Sequence, residues 1–344
     1  MTPLVSIIIP CHNAERWVGA TIESALEQTW PNQEVIVVND GSDDGSLAVA
    51  RRYESRKLRV IDELNRGAAS ARNTGLAAAS GEFIQYLDAD DLLAPDKIEK
   101  QARMLLERGL NNLCTCPWAR FTGNIESAVF VPQALWRELS PVEWMITAWE
   151  QNLMMATATW LMPRELAKKA GPWDASFRTN PLDDMEYFDR VRAVAERIIF
   201  CAEAKAYYRS ALPASLSGAR SEDAWNAISS TLHRSADLLL RLEDSARTRH
   251  AGAAILQRFV FEAYPRMPAL TNLATERVRE LGGTKLRPEC GAWMRAAGFQ
   301  IGHVPVGVAS VARDSGLLQL RLRQQPECAR QRRNVCVHAH ARQL

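Results

Sequence analysis

The sequence lacks the features that mark several specialised classes of protein. No run of about eighteen apolar residues occurs, so we predict no membrane-spanning helix. The formal net charge is only +2, which argues against a dedicated nucleic-acid-binding protein. The N-terminus shows neither a basic leader nor an apolar core of signal-peptide length, and we therefore expect a cytoplasmic protein.

Cysteine is present but follows no recognisable pattern. The seven cysteines are scattered and odd in number, which favours reduced thiols over a framework of disulfides. Cys114 and Cys116 form the only close pair, and neither a second pair nor a nearby histidine completes the spacing of a zinc ribbon. We expect these thiols to be free.

The glycine motifs of two nucleotide-binding classes are also missing. The segment from Gly41 to Gly45 reads Gly-Ser-Asp-Asp-Gly, which is not the Gly-x-Gly-x-x-Gly fingerprint of dinucleotide-binding folds. No P-loop sequence occurs either. Hydride transfer and P-loop phosphate chemistry are therefore disfavoured.

Alternating strand and helix patterns fill the first 110 residues. This alternation is typical of parallel βαβ units with helices on both faces of a sheet, so we predict an α/β class and a Rossmann-like fold. The predicted strands are 5–9, 34–38, 58–61 and 83–87, and the predicted helices are 14–28, 44–56, 68–79 and 97–108.

The fourth predicted strand ends in three carboxylates, those of Asp88, Asp90 and Asp91. Ligands of open α/β sheets bind at the carboxyl ends of the strands, which is where these acids fall. Hard oxygen ligands of this kind suit Mg²⁺ or Mn²⁺. The alternative is a loop whose acids only cap the helix that follows Pro95.

Two other segments can serve a nucleoside diphosphate. Asp40 stands in the turn after the second predicted strand, where its carboxylate can accept from a base or a ribose, or can simply support an Asx-turn. Residues 65–75 place Arg66 and Arg72 among small residues at the start of the third helix, and such a helix start is a natural anion site.

Taken in order, these motifs resemble those of the family 2 inverting glycosyltransferases of the GT-A fold. The resemblance is strong over residues 4–110 and weaker to about 217. It implies a nucleoside-diphosphate sugar donor, most often a UDP-sugar, a Mn²⁺ or Mg²⁺ ion, and a hydroxyl on a saccharide or lipid-linked acceptor. Cell-surface polysaccharide or glycolipid assembly is the usual setting. The matching motifs are Pro10-x-x-Asn13, Asn39-Asp40-Gly41-Ser42, Asn65-x-Gly67, Ala71-Arg72-Asn73 and Leu87-Asp88-Ala89-Asp90-Asp91.

The resemblance also implies roles for single residues. Asp40 would contact the base, Asp88 the ribose and Asp90, with Asp91 beside it, the metal ion. The other donor contacts that it implies are Pro10, Asn13 and Arg72.

A candidate general base follows in the second half of the chain. Asp183 and Asp184 match the acidic pair that precedes a helix in the family, although relatives more often have Glu-Asp there. On that match Asp184 accepts the proton of the acceptor hydroxyl. The alternative is that both acids are favoured at a helix N-terminus by the macrodipole. Many relatives have a histidine shortly after a Tyr-Arg pair, whereas Tyr208 and Arg209 are followed by serine and alanine.

We divide the chain into three regions. A GT-A catalytic domain is predicted over 1–217 and a mostly helical C-terminal region over 218–318. Residues 319–344 are predicted to be a basic, disordered tail, because residues 320–344 carry six arginines and one glutamate. Such a tail is suited to peripheral contact with the inner face of a membrane.

Two other functions compete with sugar transfer. A nucleotide-sugar-binding protein without turnover would carry the same donor motifs. A phosphatase of the haloacid-dehalogenase type also ends a strand in Asp-x-Asp and uses the first Asp as a nucleophile. Phosphatases of that class have Thr or Val two residues after the second Asp, whereas this chain has Leu92 there. Their motif also lies nearer the start of the chain.

Overall fold

The computed structural model describes residues 2–212 and 216–287, so the predicted tail at 319–344 lies outside the described residues. The strands are β1 Val5–Cys11, β2 Gln33–Asp40, β3 Leu58–Glu63, β4 Phe83–Tyr86, β5 Leu92–Leu93, β6 Leu113–Thr115, β7 Trp118–Phe121, β8 Met162–Pro163, β9 Ile198–Phe200 and β10 Ala206–Arg209. The helices are α1 Val18–Leu26, α2 Ser46–Arg51, α3 Ala68–Ala78, α4 Lys97–Arg108, α5 Pro141–Gln151, α6 Arg164–Ala170, α7 Asp183–Val194, α8 Glu222–Leu242, α9 Ala246–Ala263 and α10 Pro268–Glu280.

A five-stranded central sheet has the order β3-β2-β1-β4-β8. Its first four strands in this order are parallel, and β8 pairs antiparallel with β4 at the edge. Every residue of β1 is buried, as expected for a strand that is covered on both faces. The α/β prediction is confirmed. The chain leaves β1 towards β2 and returns on its other side with β4, so the ligand crevice of such a sheet is expected where β1 and β4 end.

A smaller sheet extends the acidic loop that follows β4. Its order is β5-β10-β7. Strand β10 pairs antiparallel with β5, through Tyr207 opposite Leu92, and parallel with β7, through Tyr208 opposite Arg120. Because β5 begins directly after Asp91, this sheet fixes one side of the acidic loop.

The C-terminal part of the described chain is helical, as predicted. Ser221 caps α8 by accepting from the backbone N–H of Ala224 at 3.2 Å. Helices α8, α9 and α10 share a separate apolar core that includes Trp225, Leu256 and Phe259. Within residues 2–212 and 216–287, no helix is both long and apolar enough to cross a membrane.

Two predicted helices are longer in the sequence pattern than in the structure. Helix α1 begins at Val18 and not at residue 14, because Trp17 has a φ of −122°, outside the helical range. Helix α2 ends at Arg51 and not at residue 56. Beyond the end of α2, Ser55 and Leu58 exchange two backbone hydrogen bonds, which form a turn that leads into β3.

The four described cysteines, Cys11, Cys114, Cys116 and Cys201, are buried and unpaired. This agrees with the expected free thiols.

Lys97 on α4 is fully buried, and its Nζ donates to Gln85 Oε1. Burial lowers the pKa of Lys97 from 10.5 to about 8. The buried charge therefore lowers the free energy of unfolding at pH 7 by about 3 kcal/mol. Gln85 would lose its partner in Lys97→Met, at a cost of about 1–2 kcal/mol. We therefore expect Lys97→Met to raise the free energy of unfolding at pH 7 by about 1–2 kcal/mol.

The sign of the pH dependence gives a second measurement. Because the folded state binds the Lys97 proton less tightly than the unfolded state, the parent should gain stability as the pH rises from 8 to 10.5. Urea unfolding of Lys97→Met should lack this rise, and the exposed Lys168→Met should keep it. A variant less stable than the parent at pH 7 would contradict this account.

Candidate functional site

The carboxyl ends of β1, β2 and β4 bring the predicted donor-binding residues to one edge of the sheet. Pro10 lies within the end of β1, and Asn13 follows it. Asp40 is the last residue of β2, and Asp88 lies two residues beyond the end of β4. These strands are parallel, so four predicted residues that are distant in sequence share one edge.

Asn13 shapes the rim of this edge. Its backbone N–H donates to Ser42 Oγ at 3.1 Å, and its side-chain oxygen accepts from the backbone N–H of Asp43 at 2.8 Å. Ser42 in turn donates to Asn39 Oδ1 at 2.6 Å. The loops after β1 and β2 are therefore held to each other by side-chain contacts.

Asp40 braces the loop that leads into α3. One carboxylate oxygen accepts from the backbone N–H of Arg66 at 2.7 Å and the other from that of Gly67 at 2.9 Å. Gly67 has a φ of +94°, and a Cβ there would lie 2.7 Å from the carbonyl oxygen of Arg178. Asp40 is 3% exposed, so contact with a nucleotide base, as the resemblance implies, stays a prediction.

Arg72 joins the acidic loop to the start of α7. Its Nη2 donates to Asp88 Oδ1 at 2.8 Å, and its Nη1 donates to Asp183 Oδ2 at 2.6 Å. The guanidinium group also lies 4.4 Å from the ring centroid of Trp173. With 4% exposure, Arg72 acts in this structure as a buried bridge between two carboxylates.

Further hydrogen bonds hold residues 173–178 against α3 and against the loop before it. The Asn73 side chain donates to the carbonyl of Trp173 at 2.9 Å and accepts from the backbone N–H of Trp173 at 2.8 Å. Arg178 donates to Asn65 Oδ1 at 3.0 Å. Sequence reasoning gave these contacts no role, because about 100 residues separate the partners and no local pattern marks them.

Asp184 is half-buried in the first turn of α7. Burial, and then the neighbouring charge of Asp183, raise the pKa of Asp184 to about 7. A carboxyl group with a pKa near neutrality is suited to proton transfer, since both of its protonation states are accessible at working pH. Asp183 is the buried partner of Arg72, so the two predicted catalytic acids have different surroundings.

Asp90 and Asp91, two of the three carboxylates of the acidic loop, lie in different environments. Asp90 is half-buried, and burial together with Asp88 raises its pKa to about 6. Asp91 is fully buried, and its Oδ1 accepts from the backbone N–H of Arg209 at 2.8 Å. The buried Asp91 Oδ2 has no hydrogen-bond partner. Within the described ranges, no three His, Cys, Asp or Glu side chains form a metal-holding group on their own.

Arg209 completes the acidic loop, although sequence reasoning assigned it no role. Its Nε donates to the main-chain oxygen of Asp90 at 2.9 Å. Its guanidinium lies 4.2 Å from the Trp17 ring centroid and 4.3 Å from that of Phe121. The available signal was its place at the end of a short strand, next to Tyr208.

Comparisons with known proteins identify the family model that the chain matches and the fold that it shares. Residues 6–168 match the family model described as "Glycosyl transferase family 2". The crystal structure of residues 1–349 of TarS from S. aureus is similar with a TM-score of 0.62, covering 80% of each chain at 18% identity, which shows a shared fold.

Two curated relatives are more similar in sequence but over a shorter stretch. One is WfgD of Escherichia coli, a UDP-Glc:alpha-D-GlcNAc-diphosphoundecaprenol beta-1,3-glucosyltransferase, which is 40% identical over 109 residues. The other is TuaG of Bacillus subtilis (strain 168), a putative teichuronic acid biosynthesis glycosyltransferase, which is 41% identical over 109 residues. Each alignment covers 31% of this chain and 43% of the relative, so the match spans less than half the length of either relative.

The architecture, with the acidic edge at the ends of its parallel strands, is that of the GT-A fold. Residues 6–168 of this chain belong to glycosyl transferase family 2, and the resemblance read from its motifs is confirmed.

Proposed function

We propose that this protein is a metal-dependent inverting glycosyltransferase that moves a sugar from a nucleoside-diphosphate donor to an acceptor hydroxyl. The observation that carries the proposal is Asp184, a carboxyl with a pKa of about 7 that lies beside Asp183. Arg72 donates hydrogen bonds to both Asp183 and Asp88. Because Asp184 follows Asp183 directly, these bonds fix the position of the candidate base relative to the donor-binding edge of the sheet. A protein that only bound nucleotide sugars would not need this proton acceptor.

The stereochemistry follows from the placement of a base. Asp184 takes the proton of the acceptor hydroxyl, and the acceptor oxygen forms the new bond to the anomeric carbon. The bond from that carbon to the nucleoside diphosphate breaks on the opposite face, which inverts the configuration. A positioned carboxylate typically contributes about 10²–10⁴-fold to such a step.

The donor is proposed to be a UDP-sugar. The structural neighbour TarS is solved in complex with UDP and with UDP-GlcNAc, and WfgD carries a UDP-glucose donor in its name. The names of WfgD and TuaG also support a role in cell-surface polysaccharide or glycolipid assembly.

The oxygen donors of the acidic loop fit a divalent cation. Arg209 bonds the main-chain oxygen of Asp90, and the Asp90 carboxylate has a raised pKa that a nearby cation would lower. Asp90 would hold Mn²⁺ or Mg²⁺ together with donor phosphate oxygens, and Asp88 would lie beside it. Such an ion would act as a Lewis acid on the leaving diphosphate. Asp91 is fully buried, so direct ligation by Asp91 would need the loop to shift.

Asp90→Asn tests the metal assignment through binding. We expect this variant to lose the Mn²⁺-dependent part of its affinity for UDP, because the amide carries no charge for the cation. Calorimetric titration of UDP with and without Mn²⁺ measures the effect, and circular dichroism checks the fold. The exposed Asp244→Asn serves as the control. An unchanged Mn²⁺ dependence in Asp90→Asn would remove Asp90 from the metal site.

A further inference from the structure

A small cavity of about 140 Å³ lies beside β7 and β10. Drug-sized ligands occupy about 300–1,000 Å³, so this cavity takes one small group and not a whole sugar nucleotide. The polar residues that line it are Arg120, Tyr208, Arg209, Ser210 and Ser217.

The cavity is cationic. Arg120 is exposed, and its guanidinium lies 5.3 Å from the Trp118 ring centroid and 5.0 Å from that of Tyr208. Its Nη2 contacts the sulfur of Met154 at 3.4 Å. None of the ion pairs between described residues involves Arg120, whereas Arg209 lies close to the negative charges of Asp90 and Asp91. The aromatic rings orient Arg120 without neutralising it.

These features indicate an oxyanion ligand. A guanidinium presents N–H donors in a planar fork that matches phosphate oxygens, and hydroxyl groups can add further donors. Ser210, whose Oγ donates to the carbonyl oxygen of Phe121 at 3.4 Å, and Tyr208 also line the cavity. A phosphate group therefore suits both the charge and the size of the cavity.

The sheet order separates Arg120 from the donor diphosphate. Strand β5 follows the acidic loop directly, β10 lies next to it, and β7 with Arg120 is the third strand. Neighbouring strands are about 4.8 Å apart, so β7 lies about 10 Å from β5. Arg209 is the last residue of the middle strand, β10, and donates a hydrogen bond to the main-chain oxygen of Asp90 in the acidic loop. Arg120 is thus carried two strands away from β5, with Arg209 on the strand between them.

We propose that this cavity binds a phosphate group carried by the acceptor, and that Arg120 is its main contact. This inference rests on the proposed glycosyltransferase function and adds to it the class of acceptor, a phosphorylated saccharide or lipid.

The test uses the full chain and octyl phosphate as the probe, with octyl glucoside as the uncharged comparison. Calorimetric titrations are run with and without saturating UDP and Mn²⁺. We expect octyl phosphate to bind more tightly than octyl glucoside, with an affinity that UDP leaves unchanged. Arg120→Gln should weaken octyl phosphate binding at least tenfold, because a charged hydrogen-bond donor is lost. Arg120→Lys, which keeps the charge, should lose less.

The controls separate this cavity from the donor site. Arg279→Gln, an exposed change on α10, should bind octyl phosphate like the parent, and all variants should bind UDP equally. Competition between octyl phosphate and UDP, or a matching loss of UDP affinity in Arg120→Gln, would assign the cavity to the donor and overturn the inference. Equal binding of octyl phosphate by the parent and Arg120→Gln would also overturn it. A parent that fails to bind UDP would instead contradict the proposed function, and the octyl phosphate titration would still decide the cavity.

Discussion

Asp184→Asn is expected to leave donor affinity intact and to slow sugar transfer by about two to four powers of ten. The amide keeps the size of the carboxyl group but cannot accept a proton at neutral pH. Loss of a positioned general base typically costs this much in rate. Single-turnover transfer with a radiolabelled donor measures the rate, and titration with UDP measures the affinity.

The pH profile supplies an independent check on Asp184. Its pKa is raised to about 7 and only the ionised form accepts a proton, so transfer by the parent should fall as the pH falls through about 7. The residual transfer by Asp184→Asn should lack this limb. Asp183→Asn is the matched comparison, since it removes the neighbouring acid but leaves the base. A larger loss of transfer in Asp183→Asn than in Asp184→Asn, at equal stability, would reverse the assignment.

Arg72→Met should lower the free energy of unfolding by about 3–5 kcal/mol at pH 7, the range found when one partner of a buried ion pair is removed. Asp183 would be left buried without its cation. Burial already raises the pKa of Asp183, so the carboxyl can take up a proton as the pH falls, and part of the loss should be recovered near pH 5.

Urea unfolding at both pH values measures the Arg72 effect. Arg108→Met is the control, because Arg108 forms a more exposed ion pair with Glu138 and should change stability far less. A loss in Arg72→Met no larger than in this control would show that the bridge to Asp88 and Asp183 does not stabilise the fold.

Local sequence patterns predicted the strands whose ends carry the site. The apolar runs before Asp40 and Asp88 are too continuous for surface strands, and parallel pairing then places both acids at one sheet edge. Helix bounds were harder to predict: the pattern from residue 14 is helical, yet the non-helical φ of Trp17 delays the start of α1 to Val18.

The partners inside the site could not be predicted from local patterns. The expected place of Arg72 near the nucleotide stays a prediction, and no local pattern indicated its pairing with Asp183, 111 residues later in the chain. The same holds for Asn73 with Trp173. Such pairs depend on how the second half of the chain crosses α3, and strand or helix periodicity carries no information about that crossing.

The contacts of Arg72 and Asn73 also limit how this protein can be combined with parts of its relatives. The family match ends at residue 168, five positions before Trp173. A chimera joined at that residue would take Trp173 and Asp183 from another protein, and Asn73 and Arg72 on α3 would lose these partners. A foreign second half would have to supply a carboxylate to Arg72 and a main-chain partner to Asn73 at the same spacing. Exchange of acceptor specificity between relatives should therefore succeed with grafts that begin beyond the start of α7, and fail with whole-half swaps.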